Sequence, residues 1–184
     1  LIEYKGDASD IVIPDTVTKL GNYCFSHVGN SSGSGYVDVL ISNITDISNT
    51  HHLFDTAYLK SLPTFNSSIT KIPKYCFNNV YFKDKSIQIP SQITSLDMDA
   101  FANAHLDKII VPESVVELGS MSLYSIYIYT VQFLSTTPPK ISGSFTFGFD
   151  AKIYVPDEAV DTYKAATGFS TYASQIYPAS EMPA

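Results

Sequence analysis

Three groups of residues in this chain have types and spacings that chemistry uses. Gly29-Asn30-Ser31-Ser32-Gly33 fits the G-x-S-x-G pattern of a hydrolase nucleophile elbow. That motif works only where a tight strand-to-helix turn presents the serine to a nearby base. Here Ser34-Gly35 follow with no helical pattern behind them, so the segment reads as a flexible insertion. His51-His52, with Asp46 and Asp55 close by, raises metal binding. Adjacent strand residues point to opposite faces, and the H-x3-H and C-x2-C spacings are absent, so a structural or exposed pair is expected. Cys24 and Cys76 invite a disulfide if the chain is exported. They occupy the same place in two repeats that are two steps apart, about 10 Å at the strand spacing. Bridged Cα atoms lie within about 7 Å, so two buried free thiols are expected. The four histidines form no acid–base team. No catalytic residue, cofactor site or metal site is expected from these patterns.

Tyr124, Tyr127 and Tyr129 are the candidate contact residues. Alternation through Ile126-Tyr127-Ile128-Tyr129 would put Tyr127 and Tyr129 on one strand face. Exposed aromatics anchor protein partners and sugar rings. The competing expectation is that these rings cover the core where Leu123 stands in place of a phenylalanine. Asn30-Ser31-Ser32, Asn43-Ile44-Thr45 and Asn66-Ser67-Ser68 fit the glycosylation sequon, which matters only in a eukaryotic secretory pathway.

The elements that must position these residues come from a recurring spacing. An aliphatic residue is followed three later by another and five after that by a large apolar one. The triplets are Val17–Leu20–Phe25, Ile69–Ile72–Phe77, Ile93–Leu96–Phe101 and Val115–Leu118–Leu123. Before three of them stand Ile11-Val12-Ile13-Pro14, Ile87-Gln88-Ile89-Pro90 and Ile109-Ile110-Val111-Pro112. Such a period marks a stacked-repeat solenoid. Each Ile-x-Ile pair aims both side chains at one face of a strand, and proline ends the strand because it cannot donate to the ladder.

Anchors at Val17, Ile44, Ile69, Ile93 and Val115 are separated by 27, 25, 24 and 22 residues. The Ile44 unit is irregular. Ile44 and Ile47 keep the three-residue step, but His52 falls where a phenylalanine is expected, so the stretch through Leu59 reads as an insertion. The core ladder would then be Phe25, Phe77 and Phe101. A strand is expected over Tyr127 to Leu134, and a last one over Lys152-Ile153-Tyr154-Val155-Pro156. Asp157 to Ala166 reads as an amphipathic capping helix, with Asp157 at its N-cap and Gly168 ending it. Phe169, Tyr172 and Ile176 continue the lid.

These linked motifs, spanning about Ile11 to Tyr177, resemble the BspA-like leucine-rich repeat family. Its units run as a strand ending Ile-x-Ile-Pro, then x-x-Val-x-x-Ile, then Ala-Phe. Ile87 to Phe101 is the best match, and the order Pro138-Pro139-Lys140-Ile141, Ile153-Tyr154-Val155-Pro156, Asp161-Thr162-Tyr163-Lys164 is similar to the family's terminal cap. Departures at Ile44 and at Ser122-Leu123 predict distorted units. The resemblance implies a secreted or cell-anchored protein of host-associated microbes, linked to adhesion, with no catalytic residues to transfer.

Bulk properties agree. In 184 residues, 11 basic and 18 acidic side chains give a net charge of −7, against the clustered basic face that nucleic acid requires. No stretch reaches the roughly 18 apolar residues of a membrane span. Charged residues are only 16%, with polarity carried by Ser, Thr, Asn and 13 Tyr, as suits a surface protein. A chain beginning at Leu1 without an export signal reads as a mature piece or a fragment of a longer surface protein.

The expected fold class is therefore a single leucine-rich repeat domain over 1–184. It is a mainly β solenoid with short irregular turns, repeats over about 11–150, and a C-terminal strand and capping helix over about 151–177. The expected role is a non-enzymatic, extracellular or cell-surface binding module. It would act as a monomer, without a cofactor, on a host or cell-surface protein, another cell or a glycan. The alternative is a structural spacer of a larger surface protein, with no ligand of its own.

Overall fold

A computed structural model describes residues 10–31, 35–145, 147–148 and 150–183. Every strand pairing among them is parallel. The Ile-x-Ile stretches form the longer strands. Asp10–Val12, Asp38–Ile41 and Thr64–Phe65 make one sheet. Ser86–Gln88, Lys108–Val111, Thr130–Phe133, Lys152–Val155 and Ile176–Pro178 make another, in that spatial order. Register aligns Ile87, Ile109, Val131, Ile153 and Ile176 in one column, all buried.

After each long strand the chain closes a tight turn, with the first aliphatic of the triplet donating back to the proline carbonyl. Val17, Ile93 and Val115 N–H reach Pro14, Pro90 and Pro112 at 2.9, 3.0 and 3.1 Å. The second aliphatic then lies in a two-residue strand. Lys71–Ile72, Ser95–Leu96, Glu117–Leu118 and Lys140–Ile141 pair side by side, with Ile72, Leu96 and Leu118 turned into the core. A third edge of the repeat is made by Tyr58–Leu59 beside Tyr81–Phe82, extended by bridges Val37 to Leu59 and Tyr81 to His105.

Between the second and third edges sits the ladder residue, flanked by left-handed backbone on both sides. Tyr23, His52, Tyr75, Asp99 and Met121 precede it by two, at φ of 53 to 59°. His27, Thr56, Asn79 and Asn103 follow by two, at 54 to 60°. Non-glycine residues there cost roughly 1 kcal/mol each and persist only where the surroundings hold them. Hydrogen bonds between repeats do so: Phe25, Phe54, Phe77 and Phe101 N–H donate to the Leu53, Cys76, Ala100 and Ser122 carbonyls at 2.8 to 3.0 Å.

The Ile44 unit differs from expectation. Its ladder residue is Phe54, not His52, and the rings of Phe25, Phe54, Phe77 and Phe101 stack without a gap at 5.2, 5.2 and 4.9 Å. Two extra residues between Ile47 and Phe54 are absorbed in one turn, where Thr50 Oγ1 donates to the Ile47 carbonyl at 2.7 Å. The stretch through Leu59 is regular repeat. Ser122-Leu123 is also undistorted: Leu123 is fully buried, and the departure shows only as a buried Ser122 Oγ without a partner.

The strand expected from Tyr127 begins at Thr130, so Ile126 to Tyr129 form a turn and a connection. At the C-terminus, Asp157–Ala159 is a 3-10 turn and the helix proper is Val160–Ala165. Asp157 does not cap it. Its carboxylate instead accepts the Ser180 N–H at 3.0 Å, and hydrogen bonding from the Ser180 side chain and then its backbone holds the carboxyl below its usual range. Gly168 ends the helical segment at φ +85°, and Tyr163, Phe169 and Ile176 close the core. The Tyr163 hydroxyl donates to the Ser135 carbonyl at 3.0 Å.

Both cysteines are free thiols. Cys76 is buried as expected, but Cys24, in the first described repeat, is only partly covered. Burial pushes the Cys24 thiol up to about 11 and that of Cys76 well above its usual value, so neither is a poised nucleophile.

Candidate functional site: an outer aromatic column

The third edge of each repeat carries an aromatic residue directly before a buried apolar one. The pairs are Tyr36-Val37, Tyr58-Leu59, Tyr81-Phe82, His105-Leu106 and Tyr127-Ile128. Because the second member points inward, the first points out, and the repeat brings successive rings together. Tyr58 and Tyr81 stack at 4.6 Å and 8°, Tyr81 and His105 at 3.8 Å and 14°, His105 and Tyr127 at 3.8 Å and 23°. Tyr36 closes the lower end edge-on to Tyr58 at 5.7 Å. Tyr36, Tyr58, Tyr81 and His105 are half-buried, and Tyr127 is 37% exposed.

Burial between two rings, and the nearby Lys85 ammonium, lower the His105 pKa below its usual value, favouring the neutral imidazole. Lys85 Nζ also donates to the His105 carbonyl at 3.3 Å. Lys83 and Lys85 are exposed beside the column, while Lys60 is engaged by Asp38 at 3.1 Å.

A second, shorter stack runs along the left-handed positions. His52 lies between Tyr23 at 4.7 Å and Tyr75 at 4.4 Å, and its Nδ1 meets Asp55 at 3.2 Å. His51 turns away to Asn22 at 2.7 Å. The two histidines are thus fixed by stacking and hydrogen bonding, and no group of three His, Cys, Asp or Glu among the described residues could hold a metal ion.

Of the three tyrosines singled out from sequence, Tyr127 ends the described column. Tyr129 is 53% exposed two residues on, beside exposed Ile126. Tyr124 stands apart on the turn after Leu123 and is half-buried. Tyr127 and Tyr129 do not cover the core, because Leu123 and Ile128 fill it themselves. Tyr36, Tyr58, Tyr81 and His105 were missed. Their signal was present as an aromatic recurring every 22 to 24 residues up to Tyr127, one place before a buried apolar residue.

The remaining motifs do not assemble a site. Ser32 and Gly33 of the G-x-S-x-G segment, and Ser34 after it, lie outside the described residues. Two sequon asparagines serve as braces between repeats: Asn43 Nδ2 donates to the Pro14 and Val17 carbonyls, and Asn66 Nδ2 to the Ser42 carbonyl. No helix among the described residues is long and apolar enough to cross a membrane.

Compared with known proteins, residues 3–126 match the BspA type leucine rich repeat region in 6 copies. No curated protein matches the chain.

Proposed function

The chain belongs to the BspA-type leucine-rich repeat family, and from that premise we propose that it is a binding module working through its outer aromatic column. Repeats of this family are typically surface or secreted protein-interaction modules and are not enzymes as a rule. The finer reading is a single solenoid domain over 1–184, its C-terminal end closed by the strand and helix of about 151–177. This domain adheres to a host protein, another cell or a glycan at a cell surface. Its contact surface is the column Tyr58–Tyr81–His105–Tyr127, continued by Tyr129 and flanked by Tyr124.

One observation carries the proposal: four stacked rings lie in an unbroken line on the outside of the molecule. The core needs none of them, because the residue after each ring already fills it. Rings held in one orientation lose little rotamer freedom on contact, which is what a binding anchor requires.

The test is a binding screen of the purified domain against extracellular-matrix proteins and a glycan array, beside a Tyr127→Ala/Tyr129→Ala variant of equal melting temperature. A ligand lost in the variant supports the module and its surface. A ligand retained moves the surface elsewhere, and silence on both panels favours the spacer.

A further inference from the structure

We infer that the partner of this column is a protein, contacted through a short extended polypeptide segment bearing acidic side chains. The inference rests on the column being a binding surface and decides which of its possible ligands fits.

A sugar binds an aromatic residue by laying its C–H face on an open ring face. In this column the faces are taken up to the last ring, Tyr127, whose outer face meets no other ring among the described residues. Tyr81 and His105 each have a ring on both sides, at 3.8 to 4.6 Å and within 23° of parallel. Tyr58 has Tyr81 on one side and the edge of Tyr36 on the other. Apart from that one terminal face, what remains for a partner along the column is the rim of each ring and its polar tip. The rim is the electropositive part of an aromatic quadrupole and attracts oxygen lone pairs. The hydroxyls of Tyr58, Tyr81 and Tyr127 have no hydrogen-bond partner among the described residues, and His105 adds a ring nitrogen between them.

The column is thus a line of rims and donors rather than of platforms. Its four rings follow one another at 4.6, 3.8 and 3.8 Å, a span that about four residues of extended chain cover. Backbone carbonyls and carboxylates are the oxygen groups that such a segment offers. Lys83 and Lys85 stand exposed beside it and add positive charge, tempered by Asp84 and Asp107. A polyanionic glycan is disfavoured, because the whole chain carries −7. A protein segment with one or two carboxylates, which the two lysines can pair, meets less of that opposition.

The experiment uses the full chain, a Tyr58→Phe/Tyr81→Phe/Tyr127→Phe variant and a Lys83→Gln/Lys85→Gln variant. The phenylalanine variant keeps every ring and the stack, and a thermal melt verifies its fold. Each protein is probed with a displayed random-peptide library and with a glycan array. The expected result is a set of peptides with one or two Asp or Glu residues, bound at least tenfold more weakly by the phenylalanine variant. The same peptides bind the lysine variant more weakly and with less salt dependence. Peptides held equally well by the phenylalanine variant overturn the inference. Glycans whose binding needs the column also overturn it, while leaving the binding surface in place. If neither library yields a ligand sensitive to column substitutions, the binding surface falls as well.

Discussion

The molecule stacks aromatic rings twice, once inside and once outside. Phe25, Phe54, Phe77 and Phe101 run through the core at 4.9 to 5.2 Å, and Tyr58, Tyr81, His105 and Tyr127 run along the surface at 3.8 to 4.6 Å. Both columns arise the same way, since a parallel repeat places equivalent residues above one another. Their energetics differ because only the inner column leaves water completely, while the outer rings stay half-buried or exposed. Each buried ring contributes about 1.5–3 kcal/mol from transfer, whereas stacking by itself adds about 0.5–1.5 kcal/mol. The inner column is therefore a structural spine. The outer one repays little in stability for the apolar surface it leaves exposed, and the proposed contact with a partner would account for it.

The sharpest way to break this contrast is a matched pair of truncations. Phe77→Ala is expected to cost about 3–5 kcal/mol in urea unfolding, since Phe77 also meets Phe65 and Phe82. Tyr81→Ala should cost about 1 kcal/mol. Equal losses would mean the outer column is structural too.

Hydroxyls extend the comparison. Ser122 Oγ is buried and unpaired, one repeat after Ala100 at the same place in the unit. Ser122→Ala should raise stability by about 1–2 kcal/mol by removing an uncompensated desolvation cost; a loss would mean that the hydroxyl has a partner. Tyr163 and Tyr81 form the complementary pair. Tyr163→Phe forfeits the hydrogen bond to Ser135 and should lose about 1 kcal/mol, whereas Tyr81→Phe should leave the urea midpoint unchanged.

The smallest effect expected is a pH dependence confined to the outer column. Folding lowers the His105 pKa, so the unfolded chain takes up the proton first as pH falls. The contribution from His105 is complete above about 6.5, the ordinary histidine value, and is lost as pH falls through the lower folded value. His105→Phe keeps a ring in the stack and should flatten that part of the urea-midpoint profile. An unchanged profile would assign the dependence to another histidine.

The strands were legible because two-residue alternation ending in proline leaves few other structures open. Ile87-Gln88-Ile89-Pro90 and Ile109-Ile110-Val111-Pro112 led directly to paired strands. Phe54 was hidden by the two residues that displace it from the regular step, a shift harmless in space because the turn at Thr50 absorbs it. Asp157 had the type of a helix cap, but Ser180, distant in sequence, takes its carboxylate. Among the contact residues, Tyr127 and Tyr129 were visible as a local pair. The larger column was not, because its members lie one repeat apart and become neighbours only when the repeats stack.

By itself, then, the amino-acid sequence determined the repeat, the family and the identity of the buried aliphatic faces, all of which follow from local period and side-chain type. The tertiary structure decided which aromatic positions share a column and which of their surfaces face solvent. The deciding quantities are the register of parallel pairing and the left-handed turns at residues such as Tyr75 and Asn79. Both are settled by packing between repeats, where a ring at Tyr81 meets His105 rather than any neighbour along its own chain.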